Sequence, residues 1–234
     1  GGLIIPFKGT LQEAVALVEK LNNTKLYKSS EIYLDTRLIE NYSLAFISDH
    51  LIIYHADYSL SMFEEEQWSK KLSELGLLDQ LIVFGMFDSG GYYVYGIFEN
   101  AQLIRSISQN EDEGIKQTGI LSAFEAKWLN ATVFYELEYE DHDGEWQTKN
   151  IEGADFDADS IEEWEEGNIC KVYYIDDHEN AVPEHDMVYF LFSELSEQIL
   201  GCNILNVENI KYVVTGKPHP DWKYYDITFS DKID

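Results

Sequence analysis

Residues 81–108 read LIVFGMFDSGGYYVYGIFENAQLIRSIS, a pattern that favours three antiparallel β-strands joined by tight turns. Asp88-Ser89-Gly90-Gly91 and Glu99-Asn100 are turn signals between runs rich in β-branched and aromatic residues. The first two runs are apolar on both faces, which is typical of strands covered at the centre of a sheet. The expected strands are residues 81–87, 92–98 and 102–108.

Outside this segment, helix and strand patterns follow one another without an internal repeat. Thr10 with Glu13 forms a capping-box pattern before a helix at 11–22, and Ser61 with Glu64 forms a second such pattern. We expect an α+β fold in which a largely antiparallel sheet, or a mixed sheet as the alternative, is flanked by about three main helices. Further elements are expected as a hairpin of 132–140 with 145–151 around Asp143-Gly144, strands at 169–175, 210–215 and 224–229, and a long helix at about 184–200.

The composition is globular, with 45% apolar and 14% aromatic residues, and the length allows one domain over residues 1–234. An acidic, insertion-like segment is expected at about 136–168, with a domain split near residue 130 as the alternative. No apolar run approaches the roughly 20 residues of a membrane span, and the start has no basic region followed by an apolar core. We therefore expect a cytoplasmic protein without a membrane partner.

Charge is the outlying feature of the composition. There are 44 acidic residues against 16 Lys and Arg, giving a net charge of −28. Phosphate backbones and anionic membranes repel such a surface, so direct nucleic-acid binding is disfavoured. A cationic partner is favoured instead, and we expect a basic protein.

The region from Tyr95 to Glu125 carries a pattern that points to relatives. It contains YGIFENAQLIRSIS, followed by Gly114-Ile115, Gly119 and Phe124-Glu125. It resembles a family of bacterial proteins with a domain of unknown function, in which a YG-x-(W/F)-E strand turns into L-x-R-S-x-S. Gln109-Asn110 departs from the Ser-Pro of that pattern, and the tract 136–168 looks like an addition. The resemblance implies a related fold, and it points to no established activity.

The segment DFDADSIEEWEE, residues 155–166, has the spacing of a calcium loop. However, Ser160 replaces the glycine that the sharp turn needs, and no helix is expected before the segment. The alternative is a short helix capped by Ser160 and Glu163. The ligand positions would be filled by Asp155, Asp157, Asp159, the Ile161 carbonyl, Glu163 and Glu166.

The wider tract 136–166 holds 14 acidic residues and one base, Lys149. Aromatic residues among the acids could anchor a basic protein surface that the charge attracts, whereas the alternative is a solvated acidic loop. The aromatic residues are Tyr139, Trp146, Phe156 and Trp164. The candidate binding residues of this tract are Asp155, Asp157, Asp159, Glu163, Trp164, Glu166 and Trp146.

A second acidic group contains two histidines, which are suitable zinc ligands together with carboxylates. Its spacing matches no metal template, and the later pair also fits the start of a helix. The candidate metal ligands are Asp177, His178, His185 and Asp186.

Candidate catalytic residues are His50, His55 and Asp57, which could form a base with an orienting carboxylate. No G-x-S-x-G nucleophile pattern accompanies them. Arg105 is one of few bases, and it could bind an anionic group or pair internally with a carboxylate such as Glu125.

The leading hypothesis is a non-enzymatic acidic binding protein, of the immunity-protein or inhibitor kind, that contacts a basic protein. The alternative is a metal-dependent or histidine-based hydrolase, and a third hypothesis is a calcium-binding protein. No cofactor is expected under the leading hypothesis, whereas Ca²⁺ or Zn²⁺ belongs to the alternatives.

Overall fold

The fold is α+β, as the sequence predicts, with antiparallel sheets and helices packed against them. The computed structural model describes residues 1–28, 41–64, 67–87, 91–110, 113–140, 142–156, 169–204 and 212–215. Two compact units contain residues Gly1–Gly119 with Phe192–Asp234, and residues Ile120–Leu191. Among the described residues, no helix is long and apolar enough to cross a membrane.

The elements take their numbers from chain order. The helices are α1 (Leu11–Asn22), α2 (Tyr58–Glu64), α3 (Gln67–Glu74), α4 (Ala123–Leu129) and α5 (Met187–Leu200). The strands are β1 (Gly2–Pro6), β2 (Tyr27–Lys28), β3 (Asn41–Ile47), β4 (His50–Tyr54), β5 (Leu81–Phe87), β6 (Tyr92–Glu99), β7 (Gln102–Asn110), β8 (Gly114–Gly119), β9 (Thr132–Glu140), β10 (Trp146–Glu152), β11 (Ile169–Ile175), β12 (Asp177–Pro183) and β13 (Tyr212–Thr215).

The first unit is built on a nine-stranded sheet of order β2-β13-β3-β4-β1-β5-β6-β7-β8, in which every described pair is antiparallel. The strands β5, β6 and β7 confirm the prediction from residues 81–108. Successive residues of β1 point to opposite faces of the sheet, and their burial shows that both faces are covered at this strand. Leu3 and Ile5 join the main apolar cluster, and Ile4 between them is also buried. The predicted strand at 224–229 lies outside the described residues.

Helix α1 confirms the predicted capping box. The Thr10 hydroxyl accepts a hydrogen bond from the Glu13 N–H at 3.3 Å, and the Glu13 carboxylate accepts one from the Thr10 N–H at 2.7 Å. The apolar face of the helix is buried in the main cluster. That face consists of Leu11, Ala14, Val15, Val18 and Leu21.

The second predicted capping box is wrong. Ser61 lies inside α2, and its hydroxyl donates to the Asp57 carbonyl at 2.7 Å, four residues earlier. A serine can satisfy its hydroxyl in this way within a helix, so the local pattern does not fix a helix start. Buried Tyr58 and Met62 place the helix earlier than the capping pattern suggests.

The second unit contains a four-stranded antiparallel sheet of order β10-β9-β11-β12. It includes the predicted hairpin around Asp143-Gly144. Helix α4, which the sequence pattern did not predict, begins with a capping box between Ser122 and Glu125. The predicted long helix is confirmed as α5, which a 3₁₀ turn at Glu184–Asp186 precedes and Gly201 follows with a φ of 75°.

Candidate functional site

The four-stranded sheet has one acidic face. Side chains alternate between the faces of a strand, so the glutamates of β9 and the glutamate of β10 point the same way in the observed register. The two lysines of this sheet, Lys149 and Lys171, lie on the opposite face, since they pair with Leu137 and Tyr135 of β9. Trp146, 64% exposed, pairs with Glu140. We call this surface the acidic face, and it consists of Glu136, Glu138, Glu140, Trp146 and Glu152.

Only part of the predicted aromatic and acidic tract contributes to the acidic face. Trp146 does, whereas Tyr139 occupies the opposite face by strand alternation. Phe156 stacks on Tyr135 of that opposite face, with ring centroids 3.5 Å apart and an angle of 10°. Tyr139 and Phe156 therefore do not contribute their rings to the acidic face, and anchoring of a basic protein by the aromatic residues of the tract stays a prediction.

A pocket of about 440 Å³ opens on the acidic face. Carboxylate, thiol, imidazole and amide groups share its wall with apolar side chains. No lysine or arginine of the described residues lines it. The lining residues are Phe134, Glu136, Glu138, Asn150, Cys170, Val172, His178, Ala181, Pro183 and His185.

His178 forms one wall of the pocket. Its ring stacks on Phe134, with centroids 4.4 Å apart and an angle of 22°, and Tyr174 contacts it edge-on. Its Nε2 lies 3.5 Å from a Glu152 carboxylate oxygen. The other oxygen of that carboxylate accepts the Tyr174 hydroxyl at 3.1 Å. The imidazole is therefore held by two rings and one acidic side chain.

His185 lies at the other side of the pocket, beside Cys170. The Cys170 Sγ is 3.6 Å from His185 Nδ1, and His185 Nε2 is 3.6 Å from an Asp186 carboxylate oxygen. Burial raises the pKa of the Cys170 thiol, and the negative charge of Glu136 raises it further. A thiol with a raised pKa remains protonated near neutral pH, so Cys170 is a weak nucleophile.

The four predicted metal ligands take different positions. His178 and His185 line the same pocket, and Asp186 contacts His185. The Asp177 carboxylate instead accepts the Glu179 N–H at 3.1 Å, which is a local turn contact. Within the described ranges, no group of three His, Cys, Asp or Glu side chains already stands at metal-binding spacing.

The sequence patterns missed Cys170 as a neighbour of His185, and Glu136 as the strand partner of Cys170. They come from separate strands, and the antiparallel register of β9 with β11 places Cys170 opposite Glu136. The alternation in Tyr135-Glu136-Leu137-Glu138 was the available signal, because it predicts glutamates on one face of a strand.

The predicted calcium loop is described only at its start. Asp155 is exposed in a 3₁₀ turn at Gly153–Asp155. The remaining candidates lie outside the described residues, so the calcium-loop hypothesis stays a prediction. These candidates are Asp157, Asp159, Ile161, Glu163, Trp164 and Glu166.

The three catalytic candidates of the first unit do not form one base. His50 begins β4 and His55 follows its end, so their Cα atoms are about 17 Å apart along an extended strand. His55 is 4% exposed and stacks on Tyr42 at 4.3 Å, while its Nδ1 accepts the Asp57 backbone N–H at 3.2 Å. That contact uses the main chain of Asp57 and not its carboxylate. Burial lowers the pKa of His50 and outweighs the opposing charge of Asp49.

Arg105 is 2% exposed in β7. Its guanidinium donates to the carbonyls of Ser106 and Thr118 and to the Gln117 side chain, at 3.1, 2.8 and 2.9 Å. These acceptors belong to the hairpin of β7 and β8, so Arg105 ties the two strands together. Its pairing with Glu125 stays a prediction.

No family model, no curated protein and no solved structure matches this chain. The relation to a bacterial domain of unknown function therefore stays a prediction.

Proposed function

We propose that the chain is a non-enzymatic, cytoplasmic bacterial protein that binds a basic protein through the acidic face. The observation that carries the proposal is the separation of charge across the four-stranded sheet. All four glutamates of β9 and β10 share one face, and both lysines of the sheet lie on the other. This separation concentrates negative potential where the pocket opens, which suits an immunity protein or an inhibitor of a cationic protein.

The acidic face combines attraction at a distance with an apolar anchor. Carboxylates steer a basic partner during encounter and set its orientation, while exposed aromatic rings supply binding energy once water is displaced. Trp146 pairs with Glu140 at one end of this face, and the pocket can take an arginine or lysine side chain. Phosphate groups would be repelled by the same carboxylates.

A peptide titration tests the proposal. Oligo-arginine and oligo-lysine peptides are titrated by calorimetry into the native chain and into a variant with Glu138→Lys and Glu140→Lys. Because these changes invert the charge beside the pocket, we expect the affinity to fall at least tenfold, which is about 1.4 kcal/mol. Trp146→Ala should weaken binding while leaving its salt dependence unchanged, since it removes contact area and no charge.

The matched control carries Glu74→Lys and Asp79→Lys, which change the net charge equally at exposed positions of the first unit. Because Glu74 and Asp79 are not part of the acidic face, this variant should lose only the share of the affinity that comes from net charge. Equal losses in the two double variants would show attraction to net charge alone, and the acidic face would lose its assignment.

A further inference from the structure

The pocket on the acidic face combines an apolar floor with a polar rim. Phe134 of β9 and Val172 of β11 are register partners that form the floor, and they are 4% and 5% exposed. Glu136 and Glu138 follow Phe134 at alternate positions of β9, so all three side chains share one face of the sheet. All four residues line the pocket. A matching ligand therefore joins an apolar body to a polar head.

The polar head of such a ligand is a cation. Glu136 is half-buried and Glu138 is exposed, and none of the ion pairs among the described residues involves either carboxylate. Lys171 of the same sheet lies on the opposite face, where its ammonium pairs with Glu184 at 3.1 Å. A ligand that enters the pocket displaces water from the two carboxylates, and an opposite charge that donates hydrogen bonds compensates for that loss.

A flat ring forms one wall of the pocket. The His178 side chain is 42% exposed, although its ring stacks on Phe134 with centroids 4.4 Å apart and contacts Tyr174 edge-on. Its Nε2 lies 3.5 Å from a Glu152 carboxylate oxygen. These contacts fix the plane of the ring and leave part of it open to a ligand. A planar guanidinium stacks on exposed rings, whereas an ammonium has no plane to stack.

The rim also carries a neutral acceptor beside the carboxylates. Asn150 of β10 is the direct register partner of Glu136 and lines the same pocket. Directly opposed residues have Cβ atoms about 4.5–5.5 Å apart, so the amide and the carboxylate are neighbours. A guanidinium has five N–H donors in a fixed planar fork, and it can bond to a carboxylate and to an amide oxygen at once. A lysine ammonium is a strongly hydrated point charge, and it gains less from this arrangement.

We propose that the pocket selects an arginine side chain over a lysine side chain. Its methylene groups lie on the apolar floor, and its guanidinium stacks on His178. The N–H groups donate to the carboxylates of Glu136 and Glu138 and to the side-chain oxygen of Asn150. The volume of about 440 Å³ lies within the range of about 300–1,000 Å³ that is usual for ligand pockets. The inference rests on the proposed function, because the arginine belongs to the basic protein that the acidic face binds.

Methyl NMR measures this selectivity with single-residue ligands. Ala181 and Val172 line the pocket, and their labelled methyl groups report its occupancy. The amides of acetylated arginine, lysine and citrulline are titrated into the native chain. Citrulline nearly matches arginine in shape and is neutral. We expect saturable shifts of both reporters with the arginine ligand, at least tenfold weaker affinity for the lysine ligand, and no saturation with citrulline.

Glu136→Gln tests the carboxylate contact with little change of shape. We expect it to lower the affinity for the arginine ligand at least tenfold, because it removes a charge-assisted hydrogen bond in a partly buried place. Glu140→Gln is the matched control, since it makes the same change on the same face of β9 outside the pocket lining. It should lower the affinity by less than about threefold. Equal losses would overturn the proposal, because the general field of the acidic face would then explain binding.

A pair of substitutions at His178 tests the stacking. His178→Ala should weaken the arginine ligand at least fivefold and leave the affinity for the lysine ligand nearly unchanged, since only the guanidinium uses the plane of the ring. His178→Phe keeps a flat ring and should restore the preference for arginine. A preference that survives in His178→Ala would contradict the proposed arrangement.

The result separates this inference from the proposed function. Equal affinities for the arginine and lysine ligands would overturn the inference, and the proposed function would stand if the peptides still lost affinity mainly in the Glu138→Lys and Glu140→Lys variant. Saturable binding of the arginine ligand, with equal peptide losses in the two double variants, would instead leave a guanidinium pocket and remove the proposed function.

Discussion

Gly119 ends β8 in a left-handed conformation, with a φ of +82°, against the backbone of β7. A Cβ at this position would overlap the Ile104 carbonyl oxygen. Left-handed strain of about 1–2 kcal/mol then adds to an overpacking cost of about 1–3 kcal/mol. We expect Gly119→Ala to lower the free energy of unfolding by about 3 kcal/mol, measured by urea denaturation.

Gly114 supplies the matched control at the other end of β8. Its φ is +65°, and a Cβ there would meet nothing within 4 Å. Gly114→Ala should therefore cost only the left-handed strain, about 1–2 kcal/mol. Equal losses for the two variants would mean that the close approach to Ile104 contributes nothing.

The site residues illustrate what local pattern can and cannot provide. His178 and His185 stand out in the sequence because histidine is a metal-binding residue type, is rare in this chain, and occurs twice within one short acidic segment. Cys170 and Glu136 do not, since they are 34 positions apart and become neighbours only through the register of two strands. Register depends on which face of a sheet is buried, and a single sequence specifies it weakly for strands with mixed faces.

At the scale of the elements, helix α1 begins with a reciprocal cap between Thr10 and Glu13, and the energetic coupling between these two residues can be measured. Glu13 accepts hydrogen bonds from both the N–H and the hydroxyl of Thr10, at 2.7 and 3.0 Å, and these bonds lower the pKa of its carboxylate. Removing a threonine cap costs about 1 kcal/mol. We expect Thr10→Ala to destabilise by about that amount in urea denaturation.

The double variant tests whether the two residues act together. Once Thr10→Ala has removed the hydroxyl, Glu13→Gln should cost less than it does in the native chain, because one of the contacts of Glu13 is already lost. Additive losses, with no coupling between the two changes, would rule out a reciprocal box in solution.

The contrast between α1 and α2 explains which elements were predictable. At α1 the cap residues and the apolar spacing favour the same boundary, and the helix begins at the predicted residue. At Ser61 the cap pattern competes with burial of Tyr58 and Met62, and burial sets the boundary. The central hairpins of 81–108 were predictable because turn signals separate long apolar runs. The strands β8 and β12 were not, since their side chains are mostly exposed and polar.

At the scale of the whole molecule, the high net negative charge lowers the stability of the folded state. Packing 44 acidic residues with 16 Lys and Arg into a folded chain brings like charges together, and this self-repulsion favours the unfolded state. The exposed ion pairs give little compensation, because pairs such as Lys70 with Glu74, 3.7 Å apart, are solvated. Salt should therefore stabilise the fold by screening repulsion more than it weakens attraction.

Urea denaturation at about 0.01 M and about 0.15 M NaCl measures this effect, since the Debye length falls from about 30 to about 8 Å between them. We expect the urea midpoint to rise with salt while the slope m stays constant, which marks a change in stability and not in the surface exposed. The variant with Glu138→Lys and Glu140→Lys should gain less from salt than one with Glu138→Gln and Glu140→Gln, because each lysine changes the net charge by two and each glutamine by one. A midpoint that falls with salt would mean that attractive pairs outweigh repulsion, and the excess of acids would then have no net cost to the fold.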